Sequence, residues 1–329
     1  MSNPMLSVRN LNTTFVTPKG PLQAVNDVSF DVYPGEVLGI VGESGSGKSV
    51  TLRSILGLLR PPTRLQGEVR WRDENLLKAS RKRMRKVAGA EISIIFQEPM
   101  TALNPVLTVG EQIFESLYEH ERMSKKQAKE RAEELFSLVG ISSPRERLGD
   151  YAHQFSGGMR QRAMIAIALA SNPQLLLADE PTTALDVTIQ DQILKLLLRL
   201  KDQLGMSVVI VTHDLGVVAQ TCDRVAVMYA GRIVETAPVA QLLQTPRHAY
   251  TLGLLRSLPG KGTRRQPLLP ILGAPPNLLQ LPSGCAFAPR CPYVSGACEE
   301  QVPPLVEVAP EQHSACVHHD LLPQGEVAA

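Results

Sequence analysis

The chain has 329 residues, of which 43% are hydrophobic and 20% are charged, and its formal net charge is +2. This composition argues against a disordered chain and is typical of a globular protein with one large core and an appended segment. The small net charge argues against a nucleic-acid partner, since such binders carry a basic patch or stripe. Residues 1–5 lack a signal-peptide pattern, and no apolar stretch approaches the roughly 20 residues of a spanning helix, so we expect a cytosolic chain.

A glycine-rich loop lies between a predicted strand and a predicted helix. Residues 36–41 form a short apolar run typical of a buried parallel strand, and residues 50–59 predict a helix. The loop fits the pattern GxxxxGK(S/T), whose backbone N–H groups close on phosphate oxygens. We expect Lys48 to bridge the β- and γ-phosphates of ATP and Ser49 to ligate Mg²⁺. The alternative is a Gly/Ser-rich turn before a capped helix. The residues expected to contact the nucleotide are Gly42, Glu43, Ser44, Gly45, Ser46, Gly47, Lys48, Ser49 and Val50.

Two charged segments follow the loop. Residues 81–86 hold five basic residues in six. They form either a solvated face between a hairpin and the next strand or a contact with anionic lipid headgroups. Residues 125–139 are amphipathic and predict a helix that packs through one face. The apolar residues on that face are Ala128, Ala132, Leu135 and Leu138.

The segment Ser156-Gly157-Gly158 precedes a predicted helix at residues 159–170. Ser156 is suited to cap this helix, and the two glycines let the backbone and the helix dipole approach an anion. The segment therefore predicts a second phosphate contact.

Two further predicted strands end in polar residues. Residues 175–178 are apolar and lead to Asp179 and Glu180, and residues 208–212 lead to His213. Strands of a parallel sheet deliver such residues to the edge where ligands bind. We expect Asp179 to hold the magnesium shell, Glu180 to polarise the attacking water and His213 to contact the γ-phosphate. The alternatives are a strand-end charge or helix cap for the acidic pair and a structural role for the histidine.

In this order the motifs resemble those of the ATP-binding-cassette (ABC) transporter ATPases, from residue 5 to about residue 260. The resemblance implies an α/β fold of the P-loop NTPase class. Its parts are a RecA-like core, an antiparallel β subdomain and a helical subdomain. We expect a nucleotide-binding domain at residues 1–244, with the helical subdomain at about 92–160, and an irregular cysteine-containing extension at 245–329.

The resemblance also implies roles for single residues. Ser156, Gly157 and Gly158 would bind the γ-phosphate of ATP held by the opposite subunit, although Phe155 stands where the family usually has leucine. Gln97 would touch magnesium and sense a membrane partner, and the loop ending at Asp186 would signal across the dimer. Phe15 would stack on adenine, with Phe30 and Tyr33 as alternatives. The residues expected to act in catalysis are Glu180, His213, Gln97 and Lys48.

Within this family the likeness is greatest to bacterial oligopeptide and dipeptide importers. It is carried by residues 42–50, 96–105, 179–188 and 246–251, although Ala249 replaces a usual proline. The implied function is ATP-driven uptake of di- or oligopeptides at the cytoplasmic face of the inner membrane. The implied partners are two membrane permeases, a second ATPase and an extracytoplasmic binding protein. Nickel, glutathione and antimicrobial peptides remain alternative substrates, and a soluble regulatory ABC ATPase remains an alternative function.

The residues beyond 258 differ in composition. Eleven of the 25 prolines lie between Pro259 and Pro310, which makes long helices there unexpected. Clustered cysteines in a reducing compartment favour a metal site over disulfides, and Cys291-Pro292 is similar to an iron–sulfur ligand pair. We therefore hypothesise a 4Fe-4S cluster. Zn²⁺, with His313, His318 or His319 replacing one thiolate, is the alternative, and a set of reduced thiols is another. The four expected ligands are Cys285, Cys291, Cys298 and Cys316, whereas Cys222 is expected in the core.

Overall fold

The structure is a computed structural model that describes residues 3–121, 123–257 and 270–322. It consists of two compact units. The first unit comprises Met1–Leu77 and Thr212–Ala329, and the second comprises Lys78–Val211. The predicted extension at 245–329 therefore lies partly outside the described residues.

The described residues form mixed α and β elements. The strands are β1 (Leu6–Thr17), β2 (Gly20–Val32), β3 (Val37–Val41), β4 (Thr63–Trp71), β5 (Glu74–Asn75), β6 (Ile92–Ile95), β7 (Leu175–Asp179), β8 (Ser207–Thr212), β9 (Arg224–Tyr229), β10 (Arg232–Pro238), β11 (Val306–Ala309) and β12 (Gln312–Ser314). The helices are α1 (Lys48–Ile55), α2 (Arg81–Val87), α3 (Pro99–Ala102), α4 (Val109–His120), α5 (Lys125–Leu138), α6 (Pro144–Arg147), α7 (Gly157–Ala168), α8 (Val187–Leu204), α9 (Leu215–Thr221), α10 (Val239–Gln244), α11 (Ala249–Arg256) and α12 (Gly296–Glu300).

The first unit contains an antiparallel sheet and a mixed set of strands. The antiparallel sheet has the order β2-β1-β4-β5, and Leu6 of β1 faces Val32 on one side and Trp71 on the other. In the mixed set, β3 pairs in parallel with β9, and β10, β12 and β11 follow in antiparallel order. All five residues of β3 are buried, as expected of a parallel strand covered on both faces. This strand positions the glycine-rich loop at its carboxyl end.

The second unit contains three parallel strands and most of the helices. β7 lies between β6 and β8, with Leu175 opposite both Ile92 and Ser207. Every residue of β7 and β8 is buried, so these two predicted strands are confirmed. β6 was not expected, because residues 92–95 fall inside the segment predicted to be helical. The helical part instead begins at Pro99.

The predicted helices agree with the structure within a few residues at their ends. The amphipathic segment forms α5, whose N-terminus is closed by a capping box of Ser124 and Gln127. The basic run at 81–86 forms α2 with Ser80 as its cap. α1 ends at Ile55, earlier than the expected residue 59, and Gly57 follows with a φ of 63°. Glycine in the left-handed region is a common helix terminator.

No helix within residues 3–121, 123–257 and 270–322 is both long enough and apolar enough to cross a bilayer.

Candidate functional site

The glycine-rich loop connects β3 to α1 in the first unit. Gly45 and Gly47 have φ values of 79° and 101°, which side-chain-bearing residues rarely adopt. A Cβ on Gly42 would overlap the carbonyl oxygen of Met228, and one on Gly47 would overlap that of Ala24. The loop therefore favours glycine for different reasons: the backbone is left-handed at Gly45, closely packed at Gly42, and both at Gly47.

The side chain of Lys48 is hydrogen-bonded to the backbone of its own loop. The Lys48 side chain is buried, and its Nζ donates to the carbonyl oxygens of Gly42 at 2.7 Å and Glu43 at 2.9 Å. Nζ also donates to the Ser46 hydroxyl at 3.4 Å. Lys48 is the first residue of α1, so its charge adds to the positive end of the helix dipole. This arrangement can hold an anion such as a phosphate.

Three aromatic residues are candidates for the adenine contact. Phe30 is only 6% exposed and belongs to the core, which leaves little ring surface for a ligand. The Arg224 guanidinium lies over the Tyr33 ring at 5.4 Å. Phe15 is half-buried on β1. These environments favour Phe15, and its contact with adenine stays a prediction.

The second unit places a polar cluster after β7. Asp179 ends the strand and is fully buried, and Glu180 follows with a φ of 47°. Glu180 Oε2 accepts hydrogen bonds from Gln97 Nε2 at 2.9 Å and from Thr183 Oγ1 at 2.7 Å. Left-handed backbone at a residue other than glycine is strained and is found most often at functional sites. The structure thus brings together two residues singled out from the sequence, Gln97 and Glu180.

Thr183 is a member of this cluster that the sequence analysis missed. Its backbone N–H donates to the Glu180 carbonyl oxygen at 3.2 Å, so the two residues close one turn. The separation of three residues between an acidic residue and a threonine was the only signal in the sequence. Such a turn places both side chains on one side of the chain.

The segment before α7 agrees with the prediction of a capped helix. The Ser156 hydroxyl accepts a hydrogen bond from the Met159 backbone N–H at 3.3 Å, while Ser156 and Gly157 are exposed. Phe155 is only 2% exposed, and its ring meets that of Phe136 edge-on at 6.4 Å. The aromatic residue therefore anchors the exposed cap in the second unit.

Two other predicted residues lie on the surface. Asp186 is exposed and immediately precedes α8. His213 is exposed and follows β8 directly, as the sequence predicts. Neither position conflicts with the expected dimer signal or γ-phosphate contact, and both roles stay predictions.

The four cysteines beyond residue 258 line one small cavity of about 10 Å³. Burial raises the pKa of the Cys285 and Cys316 thiols, and it raises that of Cys291 to about 11. Within the described ranges, however, no group of three or more His, Cys, Asp or Glu side chains has an arrangement that could hold a metal ion. The four thiols share a cavity, but as placed they do not fit a preformed 4Fe-4S or zinc site.

The residues around the cavity also bear on the zinc alternative. His318 Nε2 lies 2.8 Å from the Ser295 hydroxyl, and His319 Nδ1 lies 3.0 Å from an Asp320 carboxylate oxygen. His313 lies on β12, opposite Thr236. His318 and His319 therefore each have a polar partner within the extension. Cys222 is partly buried against the core, where burial raises its pKa to about 12, as expected of a packed thiol.

Comparison with known proteins gives consistent matches along the chain. The profile of the ABC transporter family matches residues 25–183, and that of the oligopeptide/dipeptide transporter C-terminal region matches residues 234–298. The chain is 53% identical over 322 residues to the probable peptide ABC transporter ATP-binding protein y4tR of Sinorhizobium fredii, and 96% of each chain is covered. It is 52% identical over 301 residues to the dipeptide transport ATP-binding protein DppD of Bacillus subtilis, covering 91% of this chain and 90% of the relative.

A solved structure supports the same fold. It is the dimeric post-hydrolysis state of the ATP-binding cassette MJ0796 bound to ADP and Pi, which is similar with a TM-score of 0.64 at 31% identity. The similarity covers 71% of this chain and 99% of that chain. The predicted α/β cassette fold is therefore confirmed.

Proposed function

The chain belongs to the ATP-binding proteins of ABC transporters, and from this membership we propose that it powers the uptake of di- and oligopeptides across a bacterial cytoplasmic membrane. The observation that carries the peptide assignment is the match of residues 234–298 to the oligopeptide/dipeptide transporter C-terminal region. The names of the relatives, a peptide transporter and a dipeptide transporter among them, support it. The cassette supplies the energy by hydrolysing ATP.

In the first unit, the loop at residues 42–50 binds the phosphates of ATP. The helix dipole of α1 and the Lys48 charge attract the β- and γ-phosphates, and the loop N–H groups donate to their oxygens. Phe15 stacks on the adenine, and His213 contacts the γ-phosphate. The left-handed and tightly packed glycines of the loop support this assignment, because a preorganised backbone needs no reorganisation when the anion binds.

Mg²⁺ neutralises phosphate charge when it is bound. The donors that the sequence motifs assign to it are Ser49, Gln97 and Asp179. Hydroxyl, amide and carboxylate oxygens are the ligands that this hard cation prefers, so the chemistry of the donor set fits the ion.

In the second unit, Glu180 orients and polarises the water that attacks the γ-phosphate. Its carboxylate is held by Gln97 and Thr183, so its orientation is fixed before the substrate arrives. Ser156, Gly157 and Gly158 present the exposed N-terminus of α7 to the γ-phosphate of ATP bound by an opposing cassette. Asp186 signals between the two cassettes.

This division of motifs implies a dimer of cassettes in which each ATP contacts both chains. The partner cassette is a second, homologous ATPase. Two integral permeases supply the pathway through the membrane, an extracytoplasmic binding protein supplies the substrate, and the chain is peripheral on the cytoplasmic face. The dimeric form of the similar cassette MJ0796 supports the pairing.

The test is the ATPase rate of the chain alone and of the chain assembled in proteoliposomes with two permeases and a second, homologous ATPase. The binding protein is loaded with a dipeptide, a longer peptide, glutathione or nickel. Stimulation by peptides only in the assembly is the expected result. Stimulation by glutathione or nickel, but not by peptides, would identify that compound as the substrate. A high ATPase rate that does not depend on the membrane partners would identify a soluble regulatory ATPase.

We also propose, from the cysteine pattern of the sequence, that the extension binds a 4Fe-4S cluster. The shared cavity of Cys285, Cys291, Cys298 and Cys316 supports it, and the absence of a preformed ligand set among the described residues opposes it. Iron, sulfide and zinc are to be measured in the anaerobically purified full chain. About four iron and four sulfide per chain would establish the cluster, stoichiometric zinc would establish the alternative, and less metal would refute both.

A further inference from the structure

Glu43, the second residue of the phosphate loop, is bound by an arginine that lies 247 residues away in the chain. Arg290 Nη1 donates to Glu43 Oε2 at 2.7 Å, and Nη2 donates to Oε1 at 3.0 Å. The Arg290 side chain is 6% exposed and the Glu43 side chain 24%. This is a bidentate ion pair. It fixes the orientation of the Glu43 carboxylate as well as compensating its charge, because the guanidinium and the carboxylate are both planar.

The backbone of Glu43 is held by two further side chains. Its N–H donates to the Tyr250 hydroxyl at 2.8 Å, and its carbonyl oxygen accepts from Lys48 Nζ at 2.9 Å. The carboxylate, the N–H and the carbonyl of one loop residue are therefore all engaged. Two of these three contacts come from residues beyond 245, in the predicted extension.

Arg290 is itself rigidly supported. Its Nε donates to the Leu272 carbonyl oxygen at 3.0 Å, and Nη1 donates to the Tyr229 hydroxyl at 3.3 Å. The guanidinium lies over the rings of Tyr229 and Phe287, 5.9 and 6.0 Å from their centroids. The hydrogen bonds to Glu43 raise the pKa of Arg290 above its already high value, so its charge is permanent.

The aromatic residues beneath Arg290 form one packed group. Tyr229 ends β9, Tyr250 belongs to α11, and the three ring centroids of Tyr229, Tyr250 and Phe287 lie 4.6 to 5.4 Å apart. Tyr250 and Phe287 are 0% and 2% exposed. The support for the loop is thus continuous from β9, through the aromatic group, to the arginine.

We propose that Arg290 and Tyr250 are positioning residues of the ATPase site, which act through Glu43 to hold the phosphate loop in its binding conformation. The C-terminal extension is then part of the nucleotide site. The inference rests on the proposed role of residues 42–50. It follows from geometry, since a loop that binds phosphates through its backbone depends on the placement of every peptide unit in it.

The effect on nucleotide binding follows from the displacement expected when one support is removed. In catalytic sites a misplacement of 1 Å can cost about 100-fold in rate, and we use this figure as an upper bound for the loss of affinity. Lys48 and the packed glycines still hold the loop in Arg290→Gln, so we expect a smaller shift, about tenfold, in both the Kd for a fluorescent ATP analogue and the KM for ATP. The turnover number changes by less than the KM, because Arg290 does not touch the substrate.

A matched control is the pair of Arg224 and Glu36 in the same unit. Arg224 Nη1 donates to Glu36 Oε1 at 2.8 Å, and Glu36 directly precedes β3, at the end of the strand opposite the loop. Arg224→Gln also removes an arginine–carboxylate pair. It should leave the Kd and the KM unchanged, so any effect specific to the phosphate loop appears only in the Arg290 variant.

Further variants separate positioning from simple docking of the extension. Arg290→Lys keeps the positive charge but cannot form the bidentate pair. Its affinity for the ATP analogue should therefore lie between those of Arg290→Gln and the wild type. Glu43→Gln combined with Arg290→Gln should be no weaker than the worse single variant, since both act through one interaction. Tyr250→Phe removes one hydroxyl and keeps the packed ring, so it tests the inference even if Arg290→Gln fails to fold.

The experiment measures the Kd, KM, kcat and melting temperature of the full chain in each variant. Lys48→Ala in the same assays tests the phosphate loop itself. If Lys48→Ala binds nucleotide normally, the proposed loop function fails. If Lys48→Ala abolishes binding while Arg290→Gln and Tyr250→Phe lower only the melting temperature, the loop function stands and the positioning role is overturned. Raised Kd and KM in both variants, with Arg224→Gln unaffected, is the expected result.

Discussion

Glu235 is a fully buried carboxyl group that connects three segments of the first unit. Its Oε1 accepts from the Arg247 backbone N–H at 2.7 Å and from Gln312 Nε2 at 2.9 Å, and its Oε2 accepts from the His248 backbone N–H at 2.9 Å. Burial raises the pKa of Glu235 from 4.5 to about 7, against the opposing effect of these hydrogen bonds. The stability of this unit should therefore depend on the protonation of Glu235.

The sign and size of the effect follow from the linkage between proton binding and folding. The folded state binds the Glu235 proton more tightly than the unfolded state does, so this contribution is fully present below pH 4.5. It is lost as the pH rises through about 7. A shift from 4.5 to about 7 corresponds to about 3 kcal/mol of unfolding free energy. Glu235→Gln abolishes this titration at some cost in hydrogen bonding that does not vary with pH.

A neighbouring group titrates in the opposite sense. Burial lowers the pKa of His248 from 6.5 to about 4, so its contribution is present above pH 6.5 and is lost as the pH falls through about 4. The total pH dependence is therefore the sum of opposing slopes. Subtracting the unfolding free energy of Glu235→Gln from that of the wild type isolates Glu235, because His248 is present in both.

The assay is chemical unfolding followed by circular dichroism at half-unit steps from pH 5 to pH 8. Relative to the wild type, Glu235→Gln should become more stable with rising pH by most of the about 3 kcal/mol, because the change begins near pH 4.5, is half complete at about pH 6 and ends above about pH 7. Glu307→Gln, an exposed carboxyl on β11, is the control and should show no such trend. If the difference in unfolding free energy between the wild type and Glu235→Gln stays constant with pH, the protonation of Glu235 does not control stability.

Further outcomes follow from the nucleotide site. Glu180→Gln should keep ATP binding and slow turnover by orders of magnitude, and unchanged turnover would exclude it as the residue that polarises water. Thr183→Val removes the 2.7 Å hydrogen bond to Glu180 and should lower kcat about tenfold at constant KM, whereas an effect on KM alone would contradict an orienting role. Gly47→Ala should abolish nucleotide binding, because its φ is 101°, and retained affinity would show that the loop can relax. Phe155→Ala removes a ring that is 2% exposed and should cost about 3 to 5 kcal/mol in unfolding experiments, and a loss below about 1 kcal/mol would contradict its anchoring role.

The parts of the site that the sequence predicted are those that depend on local pattern. The loop at 42–49 is recognisable because its glycines are fixed by backbone geometry within eight consecutive residues. The cap at Ser156 and the buried strand before Asp179 are likewise set by neighbouring residues. Such features need no knowledge of distant contacts.

The parts that escaped prediction depend on residues far apart in the chain. No sequence pattern near Glu43 predicts that Arg290 binds its carboxylate, because only the packing of the first unit brings the two residues together. β6 escaped because Ile92–Ile95 is too short a run to be distinguished from a helix by periodicity. The spacing of the four cysteines predicted a common location, but ligand geometry depends on backbone paths that spacing does not determine.

If ATP hydrolysis by this chain drives peptide uptake, vesicles that contain the complete transporter should accumulate a labelled peptide. The full assembly is reconstituted in vesicles with ATP on the side of this subunit and with the loaded binding protein on the other. Accumulation should require ATP, and it should be abolished when this chain carries Glu180→Gln. Uptake that persists with Glu180→Gln, or that proceeds without ATP, would contradict the account.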